Sequence, residues 1–200
     1  MDVAPYERAH IAGELRDALA ASGLTQEAFA RLLGTSRSRL SAYLNARTIP
    51  SAGLYQRALR LAAGLRSARL RGWMIPDRTA AEVDEALNAG DELWAFKLVV
   101  QARDQLATMI RTGDEASAAW LVRTRPISDS RYDVLLAALV EHEFARQGCA
   151  STPEWTKDRR LEESWIQPNL RRGPDWTREH TPRWLADRGV FISDHDLMTA

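Results

Sequence analysis

Ile11, Leu15, Ala18 and Leu19 recur at helical spacing across residues 8–22 (RAHIAGELRDALAAS), which predicts a helix with one apolar face. Ser22-Gly23 ends it, because glycine supplies the positive φ that a helix stop favours. Thr25 then reads as an N-cap, with Gln26 and Glu27 in the first turn and Ala28, Phe29, Leu32 and Leu33 as the buried side of a short second helix. Gly34 breaks that helix, and Thr35-Ser36 offers a cap for a third, through about Leu44, whose stripe is Leu40, Tyr43 and Leu44. After the turn Asn45–Pro50, Ser51 caps a fourth helix carrying Leu54, Ala58, Leu61 and Leu65.

The same reading extends through the middle of the chain. Gly72–Pro76 reads as a hinge or a domain boundary. Ala80–Leu87 forms a short helix, and Asp91–Arg111 a long one with Leu93, Phe96, Val99, Val100, Leu106, Met109 and Ile110 on a broad inward face. Ala116–Val122 is short, and Asp129–Gln147 turns Tyr132, Leu135, Leu136, Leu139, Val140 and Phe144 inward. Residues 151–200 differ, with Trp155, Trp165, Trp176 and Trp184 set among Pro153, Pro168, Pro174 and Pro182. That texture predicts short helices and loops pinned by aromatics, with Val190–Ile192 a short strand or an apolar plug. The expectation is an all-α protein. Residues 1–76 make a four- to five-helix N-terminal domain, 77–150 a helical bundle, and 151–200 a Trp/Pro-rich region packed on the body or binding a partner.

Composition sharpens this picture. With 45% hydrophobic and 27% charged residues the 200-residue chain has the balance of a folded protein, and no apolar run approaches the ~20 residues that cross a bilayer. The lone Cys149 forbids an internal disulfide and a Cys-rich zinc site, and a cytoplasmic, nucleoid-associated location is expected. The net charge of zero hides an asymmetry. Residues 1–75 hold 11 Arg and no Lys against 5 acidic residues, and the remainder is correspondingly acidic. A basic front and an acidic back suggest a nucleic-acid-binding head on a body with another task.

Two short helices joined at Gly34 have the arrangement of a helix-turn-helix unit. The segment LTQEAFARLLGTSRSRLSAYLNARTIPS resembles the Xre, or lambda-repressor-like, helix-turn-helix family over residues 10–66. The resemblance is carried by Leu24-Thr25-Gln26-Glu27, by Ala28 and Ala30 around Phe29, and by Gly34, Leu40, Asn45 and Arg47. It departs at Tyr43-Leu44, where the family ends its third helix with a polar pair. In such a unit the start of the third helix reaches base edges in the major groove. Thr25, Gln26, Ser36, Arg37, Ser38, Arg39, Ser41, Ala42, Asn45 and Arg47 are therefore the candidate DNA contacts. Arg37 has the fork for a guanine, Ser38 can donate or accept, and Ala42 suits a thymine methyl. Gln26, Asn45 and Arg47 suit phosphates, and Arg39 a phosphate or solvent. The competing readings are a solvated charge for Arg37 and a plain helix-start residue for Gln26.

Other constellations carry less. Glu141-His142-Glu143 has no second His one turn away, and Asp194-His195-Asp196 are adjacent residues near a chain end, so no metal, cofactor or catalytic role is assigned. No phosphate-binding loop, dinucleotide fingerprint or nucleophile elbow is present, and no enzyme is expected. The ending TPRWLADRGVFISDHDL resembles that of actinobacterial-type Xre regulators. One recognition helix covers a half-site, so a homodimeric repressor on double-stranded, palindromic operator DNA is expected. Many short members of the Xre family are antitoxins, so the resemblance implies an antitoxin whose C-terminal part, with Trp155, Trp165, Trp176 and Trp184, neutralises a toxin. The alternative is a ligand-responsive regulator without a toxin.

Overall fold

Capping chemistry sets the N-terminal elements in the computed structural model, which describes residues 4–150, 152–168 and 172–198. Helix α1 (Pro5–Ser22) starts with the Glu7 carboxylate accepting the Ala4 N–H and stops at Gly23, whose φ is 70°. Helix α2 (Gln26–Leu32) is capped by Thr25, whose hydroxyl accepts the Ala28 N–H at 3.2 Å. Helix α3 (Arg37–Leu44) is capped by Ser36, which accepts from Arg39 N at 3.2 Å, and α4 (Ala52–Arg71) by Ser51. Between α2 and α3, Gly34 turns the chain at φ 69°. Only there, with no side chain to crowd the left-handed backbone, do the helices meet across so short a connection.

Helices α5 (Pro76–Asn88), α6 (Glu92–Thr112) and α7 (Ser130–Arg146) follow, with a 3-10 helix at Glu115–Leu121 between the last two. The C-terminal region is built of a 3-10 turn (Glu154–Thr156), α8 (Pro174–Glu179), α9 (Arg183–Ala186), α10 (Asp194–Met198) and two short strands. β1 (Trp165–Ile166) and β2 (Val190–Phe191) pair in parallel, Trp165 opposite Val190. The all-α class holds, and the Val190–Ile192 segment is both strand and plug: two of its residues pair and Ile192 is fully buried.

The contacts divide the chain into two units. The first comprises residues 1–73 and 113–124, the second 74–112 and 125–200. In the first, Phe29, Leu15, Leu33, Leu40 and Leu61 form the buried core on which α1 to α4 close. Residues 113–124 return to α4, and Gly64 is what lets them close: a Cβ there would stand 2.8 Å from the Glu115 carbonyl oxygen and 3.0 Å from Ala119 N. Backbone atoms on both sides cannot yield cheaply. Gly64→Ala is therefore expected to lose about 1–3 kcal/mol to overpacking, more than the ~1 kcal/mol alanine gains in helix propensity. Urea unfolding of the variant checks the sign.

In the second unit α6 packs between α5 and α7, and the C-terminal region covers α7. Trp165 is a correction to the sequence expectation. It is buried, its ring 5.2 Å from that of Tyr132, and so it belongs to the core and offers no partner surface. Leu93 is the reverse. Expected inward, it stands in the first turn of α6 on the solvent side, 63% exposed.

Candidate nucleic-acid interface

The candidate residues fall on one stretch of backbone because α2 and α3 are locked together at their starts. Gln26 Nε2 donates to the Arg37 carbonyl at 3.4 Å, tying the head of α2 to the head of α3. The cap is Ser36 alone of the Thr35-Ser36 pair. Thr35 Oγ1 is buried without a hydrogen-bond partner, while Ser36 Oγ serves Arg39 N and meets Ser38 Oγ at 3.0 Å. Ser36, Arg37, Ser38 and Arg39 are exposed, and Ser41 and Ala42 are half-buried one turn on.

Asn45 has a job inside the fold. Its Nδ2 donates to the Ser41 carbonyl at 2.8 Å and approaches Ser41 Oγ at 3.4 Å, closing the end of α3 before Ala46 turns the backbone at φ 57°. That commits the amide donors expected on a phosphate. Arg47, just after the turn, is exposed. Tyr43 and Leu44, the departure from the family pattern, pack on the core: Leu44 is buried and Tyr43 half-buried against it.

The electrostatics of this surface separate it from the second unit. Among the described residues Arg37, Arg39 and Arg47 have no carboxylate partner, and neither do Arg57, Arg60 and Arg66 on α4. Glu27, the nearest acid in the motif, is itself engaged by Arg31 at 3.7 Å. In the second unit the pattern reverses: Arg125 sits on Asp84, Arg131 on Asp129 and Glu92, Arg146 on Glu143 and Arg188 on Glu141. The Asp129 carboxyl is held below its usual range, first by its hydrogen bond to Arg131, against the opposing pull of burial. Positive charge left uncompensated on α3, the following turn and α4 is the charge a polyanion meets.

The tryptophans expected to bind a partner do not form one exposed patch. Trp184 is half-buried, stacked on His142 with centroids 4.1 Å apart and planes 6° from parallel. Burial holds the His142 imidazole below its usual value. Trp176 lies between the His180 ring at 4.1 Å and the Arg172 guanidinium at 5.0 Å, and Trp155 is half-buried in its 3-10 turn. The large apolar side chains that do reach solvent are Tyr6, Leu70, Leu93, Trp94 and Met198. Trp94 is not among the Pro-flanked tryptophans of the C-terminal region. Its signal was there, adjacent to Leu93 in the first turn of a helix already supplied with a full apolar face.

Among the described residues no three His, Cys, Asp or Glu side chains converge to hold a metal ion, and no helix is long and apolar enough to cross a membrane. No curated protein and no solved structure matches the chain. Residues 10–64, spanning α1 from its second turn through most of α4, match the family described as Helix-turn-helix domain, consistent with the Xre-like resemblance of the N-terminal part.

Proposed function

We propose that the chain is a sequence-specific transcriptional repressor that acts by binding rather than by catalysis. In this reading α3 lies in the major groove of an operator, and the second unit serves a partner. The observation that carries it is the uncompensated charge of Arg37, Arg39 and Arg47 on and just beyond an exposed helix start. Arg37, in the first turn of α3, has the planar fork that takes a guanine O6/N7 pair, and Arg47 faces a phosphate. The second unit, with five more acidic than basic residues, repels DNA and is left for other partners.

Selection of binding sites from random duplex DNA, followed by gel-shift titration, tests this. Arg37→Ala is expected to relax preference at one base-pair position by about 1–3 kcal/mol. Arg47→Ala is expected to weaken all sequences alike and to lower the salt slope by about one. Equal loss on random DNA for Arg37→Ala moves that residue to a phosphate. Absence of any selected sequence for the full chain overturns the reading.

The finer role we propose is that of an antitoxin that represses its own operon, supported by the resemblance of the chain's ending and by the acidic second unit. Purification of the tagged protein from its own cell distinguishes this from a ligand-responsive regulator. A stoichiometric small protein bound to the second unit supports the antitoxin, and recovery of DNA alone favours the regulator.

A further inference from the structure

The first unit is not one stretch of chain. Residues 1–73 are followed by 74–112 in the second unit, 113–124 return to the first, and 125–200 belong to the second again. The chain therefore passes between the units at Trp73-Met74, Thr112-Gly113 and Thr124-Arg125. Each passage is pinned close by. At the first, the Trp73 indole donates to Asp114 at 3.1 Å within the first unit, and the Met74 N–H donates to Gln105 Oε1 on α6 at 2.7 Å within the second. At the second, α6 runs unbroken to Thr112, and Gly113 turns at φ 67° into Asp114, which accepts the Ser67 hydroxyl of α4 at 2.9 Å. At the third, Val122 packs on the core of the first unit. Three residues on, the Arg125 guanidinium sits on Asp84 of α5 and the Arg125 N–H donates to Asp77 at 3.4 Å.

The returning segment supplies part of the first unit's interior. It carries Trp120, the largest fully buried side chain among the described residues, together with buried Ala116 and Ala119. Its 3-10 helix and α1 are the main packing partners of α4, and it closes on α4 where Gly64 has no side chain. How readily the segment is ordered depends on its ends. While the second unit is folded, α6 and the bond from Met74 to Gln105 close the detour of residues 74–112. Once that unit unfolds, the detour is a free loop. Returning Asp114 to Ser67 and Trp73 then has to overcome the entropy of closing the loop and of ordering the segment itself. Two domains on one flexible linker fold and move independently. Pinned passages and a shared segment do not permit that.

We propose that residues 113–124 are the element through which the second unit controls DNA binding: the first unit is complete only while the second fixes both ends of this segment. The inference deepens the regulator reading by naming its regulation, and it rests on that reading for the DNA alone. A ligand or partner that favours an opened second unit releases DNA. DNA bound to the first unit in turn protects the second, because coupling between two sites is reciprocal.

Urea titration of the full chain, read by pulsed hydrogen exchange at α2–α3 and at α7, tests the coupling without DNA. One midpoint is expected for both regions. Leu136→Ala removes a fully buried side chain of α7 and is expected to lower the midpoint at α2–α3 as far as at α7. Asp114→Ala unfastens the segment, so the two midpoints are expected to separate, and Leu136→Ala added to that variant then moves α7 alone. Leu136→Val and Asp114→Asn are the milder substitutes where either chain does not fold. Separate midpoints in the unaltered chain overturn the proposal, as does a midpoint at α2–α3 that the Leu136 substitutions leave in place. Midpoints that stay together in the Asp114 variants assign the coupling to another route and overturn it too. The DNA arm uses a duplex selected as above, at a urea concentration that opens α7 in Leu136→Ala and not in the unaltered chain. There Leu136→Ala is expected to bind about tenfold more weakly or worse, and unchanged affinity overturns the control of DNA binding. If the midpoints move together and no duplex is selected, the DNA reading fails and the coupling stands.

Discussion

Phe29→Ala is expected to lower the stability of the first unit by about 3–5 kcal/mol and to abolish DNA binding with it. Phe29 is fully buried and sits in the cluster formed by Leu15, Leu33, Leu40 and Leu61, where helices α1 to α4 close on one another. Removing the ring forfeits its transfer free energy and leaves a cavity that Leu33 and Leu40 can fill only by moving α2 and α3 together. The pair is held in register by Gln26 on the Arg37 carbonyl, so such a movement displaces the exposed start of α3. A domain of this size loses about 4–8 °C in melting temperature per kcal/mol, so thermal unfolding followed by circular dichroism reads the effect directly. Phe29→Leu, which keeps most of the volume, is expected to retain both folding and binding. If Phe29→Ala unfolds no earlier than the unaltered chain, the core does not close where α2 and α3 meet.

Asp114→Ala comes second, with an expected loss of about 2–4 kcal/mol. The Asp114 side chain is 3% exposed and gathers four partners. Oδ1 accepts the Ala116 N–H and the Ser67 hydroxyl, both at 2.9 Å, and Oδ2 accepts the Trp73 indole N–H at 3.1 Å and faces Arg71 at 2.9 Å. Together these bonds fasten the 113–124 segment to the end of α4, and truncation leaves buried donors without an acceptor. Burial by itself raises this carboxyl. The Ala116 N–H, then Ser67, Trp73 and Arg71, outweigh it, and the group ends below its ordinary value of 3.8. The sign follows. With the folded-state value depressed, the contribution is complete above pH 3.8 and is lost as the pH falls through the lower folded-state value. Urea unfolding of the unaltered chain and of Asp114→Asn is expected to show a gap at pH 6 that narrows as the pH falls below 3.8. A gap that stays constant with pH would mean that the carboxylate charge contributes nothing.

The residues that could be read in the chain and those that could not divide along a physical line. Thr25, Ser36 and Ser51 cap their helices where the sequence places them, and Gly23 and Gly34 stop or turn the chain with positive φ. These signals act within about one turn of helix, so neighbouring residues contain all the information they need. The helix-turn-helix register and its exposed arginines were legible for the same reason. Asn45 was legible as part of the motif but not in its bonds to Ser41, since spacing does not say which donors a side chain keeps for its own helix.

Burial of each aromatic depended on distant partners. Trp165 went inside because Tyr132, on another helix, presents a ring to it, whereas Trp94 and Leu93 stayed outside on a helix whose apolar face was already complete. Ser67, Arg71 and Trp73 converge on Asp114 from more than forty residues away. Residues 113–124 join α4 because Gly64 leaves room for their backbone, a condition that no local pattern expresses. Helices, their caps and the helix-turn-helix motif were readable from the chain alone, because those rest on contacts within a few residues. Which faces were covered and which carboxylate became a hub were settled only by tertiary contacts, because burial is a property of elements that meet only once the chain has folded.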